Sequence, residues 1–173
     1  MPEVSAKLAA LRNLDPFALS PFGPTVALVI SSGFAQTPGM SEIVKFVHRG
    51  TSRITPRILK GIHKKLPFLK VEFATINAPK FPHLVDQLEF LADMVEDFGE
   101  GAAEDVPYLT AASAAFALAY AHRQYDLIPD KDPEFGHADD SAIVRAVLIE
   151  HERYLAEYAA KRGLNWAKIT VKP

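Results

Sequence analysis

The sequence predicts an all-α fold: a helical bundle of about five to seven helices with a partly irregular N-terminal segment. Three observations carry this. From Leu84 to Phe98 the apolar residues Leu84, Val85, Leu88, Leu91, Met94, Val95 and Phe98 recur at three- and four-residue steps, as on one face of a helix. The stretch from Val106 to Ala121, VPYLTAASAAFALAYA, is apolar nearly all round, which marks a helix enclosed by others. The one alternating segment, Lys70–Ile76, has no partner strand in the sequence and reads as irregular or helical.

The first 40 residues contain five prolines and read as a short helix, Ser5–Leu14, stopped at Asp15-Pro16 and followed by irregular chain. After the Pro38-Gly39 turn signal, Ser41 is placed as the cap of a helix over Glu42–Arg49, with Gly50 as its stop. Thr55 and Pro56 open the next helix, as N-cap and first helical residue, and Pro67 is expected to end it. The amphipathic helix from Leu84 follows, with Asp86, Glu89, Asp93, Glu96 and Asp97 on its polar face. Pro107 starts the apolar helix, which runs to about Arg123. An acidic turn leads into one long helix from about Ala138 to Lys161, stopped by Gly163, and Trp166 is expected to pack the tail back. The chain therefore reads as a single domain over 1–173, with an extension over 1–40, a helical region over 41–105 and a helical hairpin over 106–162.

Composition narrows the function classes. The chain is 49% hydrophobic and 23% charged, which is a globular balance. A net charge of −2 argues against nucleic acid as an obligatory partner, because phosphate binding wants a surplus of Lys and Arg. The absence of cysteine removes disulfides, thiolate metal sites and cysteine nucleophiles. The longest apolar runs are shorter than the ~20 residues a membrane helix needs, so a cytoplasmic setting is expected, with attachment to a membrane face left open. Nothing in the sequence separates a monomer from a homo-oligomer. There is no glycine-rich phosphate loop, and neither Ser113 nor Ser141 sits in a nucleophile motif.

Two charge features remain. From Ile43 to Lys70 there are eight basic residues and no acidic ones; from Asp86 to Asp105 there are eight acidic residues and no basic ones. Lys45, Arg49, Arg53, Arg57, Lys60 and Lys64 offer a surface for an anionic membrane, unless the two segments neutralise each other or stay solvated.

The second feature is the turn YDLIPDKDPEFGHADDSAI over Tyr125–Ile143, where Asp126, Asp130, Asp132, Glu134, Asp139 and Asp140 gather six carboxylates. Pro129 and Pro133 stiffen it, and Gly136 lets the chain turn. The carboxylates can accept backbone N–H groups and, at Asp139 and Asp140, meet the positive end of the last helix. Alternatively Asp126, Asp130, Asp139 and Asp140 converge on a hard cation, Mg²⁺ or Ca²⁺, which takes oxygen ligands. In an enzymatic version that ion serves a hydrolase with His137, three residues from Asp140, as acid/base. Glu134 is a further candidate, and so is His151, which interrupts the apolar stripe between Leu148 and Leu155. His151 reads first as a core histidine bonded to a buried acceptor, and at roughly 16 Å along the helix from Asp140 it falls outside the compact acidic site.

The turn resembles the signature of the YkvA-like family, a domain of unknown function with a pattern close to D-L-I-P-D-x-x-P-x-x-G-x-x-D-D. Asp126, Leu127, Ile128, Pro129, Asp130, Pro133, Gly136, Asp139 and Asp140 match it at fixed spacing, and the similarity extends over about Val106–Leu148. The resemblance implies a helical hairpin with the acidic turn at its tip, and it implies no established activity. Lys131, Asp132 and Glu134 depart from the family's usual apolar choices, which favours a soluble form.

Overall fold

A computed structural model describes residues 40–122 and 137–171. Within them the chain forms seven helices and no strand: α1 (Met40–Thr51), α2 (Pro56–Phe73), α3 (Leu84–Glu100), α4 (Tyr108–Ala121), α5 (Ala138–Glu150), α6 (Glu152–Lys161) and α7 (Trp166–Ile169). The all-α bundle expected from the sequence is present. The expectations for Ser5–Leu14, and for Asp126, Asp130 and Glu134 in the turn, lie outside the described residues.

The apolar helix α4 takes the central place, packing against α1, α2, α3 and α5. Its many alanines, among them Ala111, Ala114, Ala115 and Ala117, are buried and let neighbours approach closely. Around it, Leu66 and Phe73 of α2, Leu88, Leu91 and Met94 of α3, Val144 and Val147 of α5 and Leu155 of α6 fill the core. An aromatic cluster of Phe46, Phe116 and Tyr120 joins α1 to α4, with ring centroids 5.8–6.3 Å apart. A second, of Phe90, Tyr158 and Trp166, ties α6 and α7 to α3. Gly101 ends α3 at φ 79°, a conformation that favours glycine. No described helix is long and apolar enough to cross a membrane.

Local signals fix some ends as expected. The Thr55 hydroxyl accepts the Ile58 N–H at 3.3 Å, with Pro56 following as the first helical residue. Four expectations are corrected. The first helix already includes Met40 and Ser41, and Gly50 lies inside it, against the Phe116 ring, instead of stopping it. The second helix passes through Pro67 to Phe73. Pro67 sits on the exposed side, and the buried Leu69 and Phe73 beyond it reward another turn enough to outweigh one lost hydrogen bond. The long last helix is broken at His151, whose backbone (φ −109°, ψ 17°) leaves the helical region and divides α5 from α6. Asp97, assigned to the polar face of α3, is buried, because α6 packs over that end of the helix and brings Tyr158 and Arg162 to it.

Candidate functional site

Three polar arrangements lie on this frame, and two of them contain residues singled out from the sequence as site candidates. At the N-terminus of α5, His137 adopts φ 69°, a left-handed turn unusual for a non-glycine residue, and directs the chain into the helix. Asp139 and Asp140 follow in the first turn, only 4% and 2% exposed. The Tyr120 hydroxyl of α4 donates to Asp139 Oδ2 at 2.8 Å, and the Asp140 N–H donates to Asp139 Oδ1 at 3.1 Å. His137 Nδ1 lies 3.0 Å from Asp140 Oδ2, the contact their three-residue spacing allows. Both carboxylates thus meet the positive end of α5, and Asp139 joins it to α4. Among the described residues no group of three His, Asp or Glu side chains stands where it could hold a metal ion.

His151 belongs to a separate arrangement, at the α5–α6 joint. Its Nε2 lies 2.9 Å from the Ser113 hydroxyl and its Nδ1 3.1 Å from the Thr110 hydroxyl, while Thr51 of α1 donates to Ser113 at 3.1 Å. Three hydroxyls and one imidazole form a chain linking α1, α4 and the joint. In the neutral ring one nitrogen donates and the other accepts, which hydroxyl partners on both sides can satisfy. Burial holds the His151 pKa below the usual imidazole value; Glu150 pulls it upward and His48 adds to the depression. Glu150 is itself paired with His48 of α1 at the surface. Ser113 is fully buried within a packed helix, so its contact with His151 holds structure together and presents no nucleophile.

This gives a signed expectation for pH. A histidine whose folded pKa lies below its unfolded value contributes stability that is complete above the unfolded value and falls as pH drops below it, because the unfolded chain takes up the proton first. Lowering the pH from 7 to 5 is therefore expected to destabilise the protein, and His151→Gln is expected to flatten that slope. Urea unfolding of both proteins at several pH values measures this; parallel stability curves would assign the slope to other groups.

The third arrangement sorts the basic segment. Lys70 of α2 pairs with Asp93 and Glu96 of α3, at 2.7 Å and 2.5 Å, so the basic and acidic helices do neutralise each other at that point. Lys45 pairs with Glu42, and Arg49 donates to the Lys45 carbonyl. Arg53 and Lys65 are also engaged. Arg57, Lys60 and Lys64 are exposed, and among the described residues their side chains make no hydrogen bond or ion pair. Phe68 and Val71, 45% and 58% exposed, continue the same helix.

The sequence reading missed several partners. Tyr120, Ser113 and Thr110 looked like ordinary members of an apolar helix, and only packing against α5 and the α5–α6 joint turns their hydroxyls into acceptors and donors. Phe68 and Val71 had a signal, their four- and seven-residue spacing from Lys64, but Pro67 hid it by marking a helix end. Comparison with known protein families, with curated proteins and with solved structures finds no match. The YkvA-like resemblance is accordingly carried by the motif residues themselves.

Proposed function

We propose that this chain is a non-enzymatic binding domain of the YkvA-like kind, in which the acidic turn locks two helices and exposed helix faces make the contacts. The inward placement of Asp139 carries the reading. Its carboxylate is buried, and Tyr120 and the α5 backbone use it, so its chemistry is spent on the fold. Asp140 is equally buried and faces His137. Nine motif positions between Asp126 and Asp140 support the family assignment.

A divalent-metal hydrolase would instead need Asp126, Asp130, Asp139 and Asp140 to converge on one ion, with His137 beside it. The two readings separate in one experiment. On the binding-domain reading, Asp139→Asn lowers stability by about 1–2 kcal/mol, from a weakened charged hydrogen bond and a lost charge at the helix N-terminus. Ca²⁺, Mg²⁺ or Mn²⁺ then leaves the melting temperature of the wild type unchanged. An ion-dependent rise that disappears in Asp140→Asn would transfer the turn to cation binding.

A further inference from the structure

We infer that the exposed face of α2 is a docking surface for an anionic lipid membrane; the inference rests on reading the chain as a binding domain and names its partner. At 100° per residue, Lys60, Val71, Lys64, Arg57 and Phe68 fall within about 80° of the helix circumference, along about 21 Å of its axis. The opposite side carries Leu59, Ile62, Leu66, Leu69 and Phe73, all buried in the core. One helix therefore anchors the stripe rigidly from behind and presents it outward.

The stripe is ordered along its length. Its N-terminal half bears three cations with no counter-charge among the described residues, whereas Lys70, at the far end and turned toward α3, is held by two carboxylates. Its C-terminal half bears Phe68 and Val71, apolar and exposed. Three cations without an ion-pair partner among the described residues, on a chain of net charge −2, point to a local anionic partner instead of a general electrostatic preference. A lipid surface takes both halves at once: phosphate groups meet Arg57, Lys60 and Lys64, and the headgroup–acyl boundary takes Phe68 and Val71. A soluble polyanion would use the cations and leave the two apolar side chains in water.

The test is co-sedimentation of the full chain with vesicles of phosphatidylcholine alone and of phosphatidylcholine mixed with phosphatidylserine. Binding is expected only to the mixed vesicles and is expected to weaken as salt rises. Replacing Arg57, Lys60 and Lys64 by Gln together should lower the association constant about a hundredfold. Phe68→Ser/Val71→Ser should lower it about tenfold without changing the salt dependence. All five positions are exposed, so thermal unfolding of the variants should match the wild type. Equal binding to both vesicle types, or no loss in the triple variant, overturns the inference. Retention on heparin with no vesicle binding also overturns it, in favour of a soluble polyanion. None of these outcomes touches the ion-dependent melting that tests the binding-domain reading, so the two can fail separately.

Discussion

Gly50→Ala is expected to lower the stability of this protein by about 2 kcal/mol, although alanine is the better helix former. A Cβ at position 50 would stand 2.1–2.5 Å from three atoms of the Phe116 ring. That ring is buried and packed against Phe46 and Tyr120, so it has little room to turn away. Overpacking of this kind costs roughly 1–3 kcal/mol or somewhat more, against a gain of about 1 kcal/mol in helix propensity. The melting temperature should fall by about 4–8 °C. The decisive measurement is a double-mutant cycle with Phe116→Leu, which removes the far edge of the ring. On that background Gly50→Ala should be neutral or stabilising; an unchanged cost would mean that the ring is not what requires glycine.

Asp97→Ala should be more damaging, at about 3 kcal/mol. Asp97 Oδ2 accepts the Tyr158 hydroxyl at 2.5 Å and also the Arg162 guanidinium. Removing it leaves a buried phenol without an acceptor, worth roughly 1–3 kcal/mol, while the solvent-screened contact to the half-exposed arginine adds little. In a Tyr158→Phe background the cost should shrink toward the arginine contribution alone, because both partners of the buried bond are then gone. Burial works to raise the Asp97 pKa, but the bonds from Arg162 and Tyr158 outweigh it and hold the carboxyl below its usual range. Tyr158 moves upward, first through burial and then through its bond to Asp97, and so stays a proton donor. A carboxyl with a depressed folded pKa contributes stability above its unfolded value and loses it as pH falls through the folded one. Acid unfolding of Asp97→Ala should therefore be less steep than that of the wild type below pH ~4. A slope equal to the wild type would place the acid sensitivity elsewhere.

These two sites show where sequence reading reaches and where it stops. Gly50 looked like a helix stop because glycine after a basic turn commonly is one. The ring that makes glycine necessary there lies 66 positions further along the chain. Asp97 shares a helix face with Asp86, Glu89 and Asp93, and no periodicity separates it from them. Its burial comes from α6, which returns over the end of α3. The same holds at His151. Its place in an apolar stripe was visible, and so was the expectation of a buried acceptor, but neither the break in the helix at His151 nor the α4 hydroxyls its ring meets there could be read from spacing.

Local chemistry determined the helical class, the N-cap at Thr55, the central position of the alanine-rich helix and the clustering of acids at the start of α5. Each depends on spacing or on side chains within one or two turns, which is what a sequence encodes directly. Tertiary structure decided which charges were spent and which were left over. It turned Asp139 inward to Tyr120, closed Lys70 onto α3, and left Arg57, Lys60 and Lys64 facing outward beside Phe68 and Val71. Charge pairing and burial are set by distances between segments far apart in the chain, and those distances exist only once the helices have packed.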